Sequence, residues 1–224
     1  MTHDCGGSGT GRWLVTDRPP ARADTAAYVL AGGSSSRFGS DKALAQLAGE
    51  PVLRRMLRRL GEVAVSVRIV GAADRYPEYR EKIVADRWPG QGPFGGILTA
   101  LEASRESGHG RSVIVSCDMP FLTPGWLAYM VDRAAASEAD VVYARSRGGD
   151  EPLCGCWRTD ALPRLQAAFD EGVRKVTEGA NRVRAEVLDE AHWKRFDSGG
   201  RLFWNMNTPE DYEQAVRISR TGNE

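Results

Sequence analysis

The residues with the clearest chemical potential lie in one loop rich in glycine and serine, between Gly32 and Lys42. Gly32 and Gly33 lack a Cβ atom, so the backbone can turn sharply there and approach a ligand closely. The backbone N–H groups and serine hydroxyls of such a loop form a concavity that binds anions. Arg37 and Lys42 add fixed positive charge. The loop therefore predicts a phosphate-binding site.

This loop differs from two common phosphate-binding loops. A P-loop requires Gly-x-x-x-x-Gly-Lys-Ser/Thr, but here Gly39 is followed by Ser-Asp-Lys42-Ala, so the lysine is displaced and the magnesium-binding hydroxyl is missing. The glycine spacing of a dinucleotide-binding loop is also absent. A plain surface loop is the alternative interpretation. The apolar strand predicted over residues 26–30 and the closing Lys42 favour a binding site.

Two aspartates follow other predicted strands. Asp118 comes directly after residues 112–117, and beside a phosphate site its carboxylate predicts a ligand of Mg²⁺, the expected cofactor. Asp86 ends the predicted strand over residues 83–86. It could contact a ligand or simply initiate a turn, and the pattern leaves both roles open.

Further polar side chains complete the candidate site. Asn205 and Asn207 flank one residue, so within a strand predicted over residues 202–207 they would share a face. Asn207 is a candidate metal ligand, with local turn bonding as the alternative. Lys42 can neutralise a triphosphate as a point charge, and Arg37 can bridge phosphate oxygens, although each could also be an ordinary surface charge.

Alternation of apolar strands, loops and helices predicts an α/β fold in which a mostly parallel sheet carries helices on both faces. Ligands of such sheets bind beyond the carboxyl ends of the strands, so the special loops should converge. The arginines of the first predicted helix are expected to lie on a solvated face. The predicted strands cover residues 26–30, 65–70, 83–86, 112–117, 140–144, 151–157, 184–188 and 202–207, and the predicted helices cover residues 52–60, 97–104, 125–136, 160–170 and 209–218.

The composition excludes several classes of function. The 224 residues carry 30 basic and 30 acidic side chains, so no global field favours nucleic acid or an anionic membrane. No segment is long and apolar enough to span a membrane, and the N-terminus lacks the apolar run of a signal peptide. Four cysteines do not predict a disulfide framework. We expect a cytoplasmic protein with a flexible extension over residues 1–25 and a single domain over residues 26–224.

The loop and its flanks, Leu-Ala-Gly-Gly-Ser-Ser-Ser-Arg-Phe-Gly-Ser-Asp-Lys-Ala-Leu over residues 30–44, resemble the signature loop of the molybdenum cofactor guanylyltransferases, the MobA family. Four further blocks follow in the family's order: residues 90–97, 117–122 (Cys-Asp-Met-Pro-Phe-Leu), 151–153 (Glu-Pro-Leu) and 205–211 (Asn-Met-Asn-Thr-Pro-Glu-Asp). The resemblance spans roughly residues 26–215. It departs from the family at Phe38, where methionine is common, and at residues 71–74, where an asparagine is common.

The resemblance implies a Rossmann-like three-layer α/β/α nucleotidyltransferase. Such an enzyme would transfer GMP from GTP to the terminal phosphate of molybdopterin with Mg²⁺, releasing pyrophosphate and forming the guanine dinucleotide cofactor. Its partners would be GTP and molybdopterin, with molybdoenzymes or other cofactor-biosynthesis proteins as further candidates.

The resemblance also carries roles to individual residues. Catalytic roles fall on Lys42, Asp118 and Arg37. Nucleotide-binding roles fall on Leu30, Ala31, Gly32, Gly33, Lys42, Asp86 and Asp118. Substrate-binding roles fall on Gly39, Gly92, Gly96, Asn205 and Asn207, and metal-binding roles fall on Asp118 and Asn207.

Two alternatives remain at this point. The related cytidylyltransferase typically has Leu-Ala-Ala-Gly in the loop, so Gly33 after Gly32 favours guanine. A catalytically idle nucleotide-binding adaptor would be expected to lack Lys42 or Asp118, and both are present. A sugar-phosphate nucleotidyltransferase would carry Gly-Thr-Arg-Leu, which the sequence lacks.

Overall fold

A computed structural model describes residues 21–32 and 41–220 of the chain. The strands are β1 (Thr25–Leu30), β2 (Gln46–Leu47), β3 (Glu50–Pro51), β4 (Ser66–Gly71), β5 (Ile83–Ala85), β6 (Arg111–Ser116), β7 (Val141–Ser146), β8 (Gly149–Arg158) and β9 (Ala185–Leu188). The α-helices are α1 (Val52–Gly61), α2 (Pro93–Glu106), α3 (Pro124–Ala136), α4 (Leu162–Asp170), α5 (Val176–Ala180), α6 (Glu190–Trp193) and α7 (Pro209–Arg220).

Seven strands form one sheet in the order β5-β4-β1-β6-β8-β7-β9. The pairs β5–β4, β4–β1, β1–β6 and β7–β9 are parallel, which confirms the predicted mostly parallel sheet. Strand β8 runs antiparallel to both β6 and β7. Strand β6 is therefore the border between a fully parallel half and a half that contains one reversed strand, β8.

The sheet is buried on both faces, which gives the expected three layers. Successive residues of β1 alternate between two apolar clusters, with Ala27 and Val29 in one and Ala26, Tyr28 and Leu30 in the other. The first cluster includes residues of α1, α3 and α7, and the second includes residues of α2, α4 and α5. A strand covered on both faces reads as a continuous apolar run, which is why β1 was visible in the sequence.

Helix α1 differs from expectation, because two of its arginines are buried rather than solvated. Arg59 is 7% exposed and donates hydrogen bonds to the main-chain oxygens of Pro120 (2.6 Å) and Leu122 (2.9 Å). Arg55 is 4% exposed and donates to the Leu47 carbonyl (2.9 Å). A guanidinium has five donors, so it can satisfy loop carbonyls that no strand reaches. Arg59 thereby fixes the loop that follows Asp118.

The strand predicted over residues 202–207 is wrong, because this segment is irregular in the structure. Strand β6, which ends close to Asp118, already has both edges paired, with β1 and β8. The segment is instead joined to the end of β6 by a main-chain hydrogen bond from the Met206 amide to the Asp118 carbonyl (2.8 Å). The helix start after it is as predicted, since the Asp211 amide donates to Thr208 Oγ1 (3.2 Å).

Residues 21–25, which the sequence assigned to the N-terminal extension, form a 3₁₀ turn and the first residue of β1. Asp24 accepts a hydrogen bond from the Gly110 amide (2.6 Å) and pairs with Arg111 (3.3 Å). None of the helices in the described parts of the chain has both the length and the apolar character needed to cross a membrane.

Candidate active site

The ends of three parallel strands meet at one edge of the sheet. The Ala31 amide donates to the Val70 carbonyl (3.0 Å), and the Cys117 amide donates to the Leu30 carbonyl (3.3 Å). These bonds continue the ladder beyond the strands, so the residues that follow β1, β4 and β6 lie side by side. We predicted that the segments after the strands would lie close together. The structure shows this for Ala31, which follows β1, and for Asp118, which follows β6.

Asp118 lies at the centre of this edge with one carboxylate oxygen unpaired. Its Oδ1 is buried and has no hydrogen-bond partner among the described residues. A buried carboxylate oxygen without a donor costs free energy, so a cation or a donor from a ligand is expected beside it. The Asp118 main chain is held by the Met206 amide, as described above.

Lys42 lies close to the same place, in the described segment that begins at Asp41. It opens a short 3₁₀ turn, Lys42–Leu44, whose preceding residue Asp41 accepts from the Ala43 amide (3.0 Å). Lys42 Nζ donates to Asn207 Oδ1 (3.1 Å). Since Asn207 follows Met206, which is bonded to Asp118, three predicted site residues come together: Lys42, Asn207 and Asp118.

Cys117 reports on the charge around this cluster. Burial raises the pKa of the Cys117 thiol to about 12, and the nearby carboxylates of Asp118 and Asp41 act in the same direction, opposed by Lys42. A thiol with so high a pKa is a poor nucleophile at neutral pH. The cluster is therefore suited to binding charged groups rather than to cysteine chemistry.

Asp86 shows the turn-initiating geometry, one of the two roles that the sequence left open. Its Oδ1 accepts from the Trp88 amide (3.0 Å), which is the turn-initiating geometry. Its Oδ2 points toward Gly32, where a Cβ atom would lie 3.8 Å away. The turn therefore leaves one carboxylate oxygen close to the backbone of Gly32, a predicted phosphate-binding residue.

Gly32 and Asp86 lie on the wall of a first cavity of about 560 Å³. Much of this wall is backbone, because glycines from three strand-end loops contribute to it. Gly92 has a φ of +83°, a conformation that residues with a side chain rarely adopt, and it precedes α2. Arg75 is a cation on the same wall and pairs with Asp41 (2.9 Å).

Two predicted binding residues lie behind this wall. Leu30 is 7% exposed and belongs to the apolar core. Gly96 is buried in α2, where a Cβ atom would lie 3.3 Å from Leu30 Cδ2. Gly96 thus allows α2 to pack closely on β1, and only the main chain of Leu30 reaches the site.

A second cavity of about 700 Å³ lies on the side of β8, and Asn205 is on its wall. The two predicted asparagines therefore do not share a face, since Asn207 contacts Lys42 while Asn205 opens into this cavity. Side chains dominate the wall, among them Trp204, Arg147 and Lys194. A smaller cavity of about 370 Å³ shares Pro93 with the first cavity and Asn205 with the second, so the three form one groove.

Glu151 is a site residue to which sequence reasoning gave no role. It lies on the second and smaller cavities, and its Oε1 accepts from Ser146 Oγ (2.7 Å). Burial raises the pKa of Glu151, and the Asp118 carboxylate adds to the effect. The antiparallel pairing of β8 with β6 places the start of β8 at the active edge. In the sequence, the Glu-Pro-Leu block over residues 151–153 was the signal that could have identified Glu151 as a site residue.

The residues present fit a magnesium ion that is shared with a substrate. No group of three or more His, Cys, Asp or Glu side chains in the described residues could hold a metal. Mg²⁺ needs no such cage, because it commonly uses one or two carboxylates, waters and substrate phosphates. The unpaired Oδ1 of Asp118 and the amide oxygen of Asn207 are suitable donors. Arg37, Gly33 and Gly39 lie outside the described residues.

Comparisons with known proteins identify the family of this chain. The family model of the MobA-like NTP transferase domain matches residues 27–187. The molybdenum cofactor guanylyltransferase of Rhizobium johnstonii is 34% identical, over 88% of this chain and 93% of its own length. The probable molybdenum cofactor guanylyltransferase of Carboxydothermus hydrogenoformans is 28% identical, over 85% of this chain and 94% of its own.

A solved structure shows the same fold. The molybdopterin-guanine dinucleotide biosynthesis protein A of Archaeoglobus fulgidus superposes with a TM-score of 0.75 at 24% identity, covering 88% of this chain and 99% of that one. The fold of the sheet and its helices thus has a counterpart in a solved structure. With the family model covering most of the described residues, the chain belongs to the MobA-like NTP transferase family.

Proposed function

We propose that this protein is a guanylyltransferase that transfers GMP from GTP to the terminal phosphate of molybdopterin, giving the guanine dinucleotide cofactor and pyrophosphate. The observation that carries the proposal is the Lys42–Asn207 pair beside Asp118, whose buried Oδ1 has no hydrogen-bond partner among the described residues. Chain neighbours of this cluster line two of the cavities, Met119 the smallest and Asn205 both the smallest and the second, while Gly32 and Asp86 line the first. Two cavities suit an enzyme that joins two substrates. The names of the relatives support guanine and molybdopterin as those substrates.

The chemistry requires little beyond placement and charge neutralisation. An oxygen of the acceptor phosphate forms a bond to the α-phosphorus of GTP, and the bond from that phosphorus to the β-phosphate oxygen breaks. Because a phosphate monoester is already ionised near neutral pH, no strong general base is needed. Holding two polyanions in line and compensating their charge are the tasks of the site.

The chain's own residues divide these tasks. The Lys42 ammonium neutralises the triphosphate and the charge that develops on departing pyrophosphate. Asp118 and Asn207 would hold a magnesium ion, whose charge would offset that of the phosphate oxygens. Arg37 and Gly33 belong to the proposed site by resemblance. Asp86 and Gly32 bound the pocket for the nucleoside.

The two cavities differ in the substrate that each suits. The first, beside Gly32, takes the nucleotide in this proposal. The second takes the acceptor, because Trp204 can pack against a flat pterin. Arg147 and Lys194 are the cations available to its phosphate, and both lie beside Glu190 on a wall that also carries other carboxylates. Asn205 lies where the second and smaller cavities meet.

The test is incubation with molybdopterin, Mg²⁺ and either GTP or CTP, followed by chromatography of the products. We expect the guanine dinucleotide and pyrophosphate with GTP, and little product with CTP. Equal product from both nucleotides would contradict guanine selectivity. Product with CTP alone would establish the cytidylyltransferase alternative, and nucleotide binding without either product would establish the idle adaptor.

Three finer features belong to the same proposal. GTP binding and magnesium dependence are expected from the site, and omission of Mg²⁺ should abolish transfer. A cytoplasmic location is expected and can be checked by cell fractionation. Molybdoenzymes or other cofactor-biosynthesis proteins are candidate partners for product delivery.

A further inference from the structure

Tyr76 is a buried tyrosine between two segments that the proposed function places on the nucleotide, although sequence reasoning gave it no role. Its side chain is 2% exposed. The ring lies against Gly71, where a Cβ atom would be 3.6 Å from Tyr76 Cε2 and 3.5 Å from the Ala31 carbonyl oxygen. The ring therefore packs between Gly71 and the end of β1 at van der Waals distance.

The Tyr76 hydroxyl contacts both segments. It lies 2.9 Å from the Ala31 carbonyl oxygen and 2.9 Å from Asp41 Oδ2. Ala31 directly follows β1, and Asp41 directly precedes Lys42. A hydroxyl has one proton, so the two acceptors share a single donor. Burial and the hydrogen bond to Asp41 raise the pKa of Tyr76, so the donor remains protonated at neutral pH.

Asp41 connects the Tyr76 hydroxyl to the turn that begins at Lys42. Its Oδ1 accepts from the Ala43 amide (3.0 Å) and so caps the turn that Lys42 opens. Its Oδ2 receives both Tyr76 and Arg75, whose Nη2 lies 2.9 Å away. Because both carboxylate oxygens are engaged, the turn cannot shift relative to Tyr76 without breaking a hydrogen bond.

We infer that Tyr76 is a positioning residue for nucleotide binding, whose hydroxyl ties Ala31 to the Asp41-capped turn and so sets the place of the Lys42 ammonium. The inference rests on the proposed function, since it takes Lys42 as the cation on the triphosphate. Without the hydroxyl, Asp41 keeps Arg75 and the Ala43 amide. The turn then still forms but loses its link to β1.

The first experiment compares Tyr76→Phe with the wild type by calorimetric titration of Mg·GTP in the absence of molybdopterin. The phenyl ring fills the same space, so we expect about tenfold weaker binding from the lost hydrogen bonds alone. Tyr79→Phe is the matched control, because Tyr79 lies on the same segment and packs on the apolar core. Its affinity for Mg·GTP should equal that of the wild type.

A double-mutant cycle separates positioning from general support of the fold. In a Lys42→Met background, Tyr76→Phe should change the Mg·GTP affinity less than twofold, while it lowers the melting temperature equally in both backgrounds. A full tenfold loss in the Lys42→Met background would overturn the inference, as would unchanged affinity in the single variant. Should Tyr76→Phe not fold, Asp41→Asn keeps the cap and must show the same dependence on Lys42.

The same measurements distinguish this inference from the proposed function. A wild-type protein that binds Mg·GTP but transfers no GMP would overturn the guanylyltransferase proposal, and the affinity comparison would still decide the role of Tyr76. A wild-type protein that binds no nucleoside triphosphate would overturn both.

Discussion

The cavities on the two halves of the sheet differ in the composition of their walls. In the parallel half the first cavity is walled largely by backbone, with Gly32, Gly71 and Gly92 at the strand-end loops. Beyond β6 the second cavity is walled by side chains, including Trp204 and Lys194. Gly92 in particular should tolerate a side chain poorly, because its φ is +83°. Side-chain walls can be altered one residue at a time.

This contrast indicates how a transferase can keep one substrate and vary the other. A nucleoside triphosphate presents the same phosphates to every member of such a fold, and main-chain N–H groups are sufficient to bind them. The acceptor differs in shape and charge, so its recognition needs specific side chains. Asp118 follows β6, the strand shared by both halves, and should therefore serve both substrates.

The largest effect on turnover is expected from substitution of Asp118, which follows β6 at the border between the two halves of the sheet. Asp118→Asn removes the negative charge at nearly constant shape, and we expect turnover to fall about a thousandfold because the magnesium ion loses its carboxylate. Steady-state rates with saturating GTP and molybdopterin provide the measurement. Asp132→Asn, at an exposed position of α3, is the matched control. Activity within twofold of wild type in Asp118→Asn would remove Asp118 from the mechanism.

A smaller effect tests the backbone wall of the parallel half. Gly92→Ala places a Cβ at a φ of +83°, which costs about 1–2 kcal/mol. We expect a lower melting temperature and about tenfold weaker Mg·GTP binding, with the KM for molybdopterin unchanged. Gly61→Ala is the control, because no atom lies within 4 Å of the added Cβ and the residue ends α1. If Gly92→Ala bound Mg·GTP normally, the wall would not depend on that conformation.

Substitutions in the side-chain wall of the second cavity should have smaller effects. They should change the KM for molybdopterin and not the KM for GTP. Lys194→Met removes an exposed cation from the second cavity, where it lies 3.8 Å from Glu190. We expect the KM for molybdopterin to rise about threefold at low ionic strength, with the difference fading as salt is added. The KM for GTP should not change. Lys82→Met, which lies outside the three cavities, is the control; a rise in the KM for GTP in Lys194→Met would contradict the division of the groove.

The smallest effect concerns stability and pH. The pKa of Glu151 is raised by burial, so the folded protein binds this proton more tightly than the unfolded chain does. The contribution of Glu151 protonation to the free energy of unfolding is fully present below the pKa that Glu151 has in the unfolded chain. It is lost as pH rises through the higher pKa that Glu151 has in the folded protein. Without magnesium, Glu151→Gln should therefore raise the melting temperature by a few degrees at pH 7 and not at pH 4. Melting curves across that range provide the check, and a difference independent of pH would exclude titration of Glu151 as its cause.

The sequence predicted the parallel half well because its signals are local. Apolar strands covered on both faces read as continuous runs, as in β1, and the special residues follow them directly. The C-terminal segment was harder. The apolar residues of the segment 202–207, and their alternation with asparagine at its end, are typical of a strand, but β6 has no free edge to pair with it. Whether a partner strand is available is a property of the whole sheet, which local periodicity does not report.

The site shows the same division between local and distant information. Lys42 and Asp118 were predicted from their own neighbourhoods, and the structure places both beside Asn207. Tyr76 carried no local signal, since its acceptors Ala31 and Asp41 are distant along the chain. Glu151 became a site residue only because β8 reverses direction.

That reversal has an evolutionary consequence. The β7–β8 hairpin is one contiguous stretch of chain, and its turn delivers Asp150 and Glu151 to the acceptor side. Insertions or exchanges in this turn would reshape the acceptor pocket without touching β1, β4 or β5. An ancestral nucleotidyltransferase could thus acquire a new acceptor through a single replaced segment and inherit its phosphate chemistry intact.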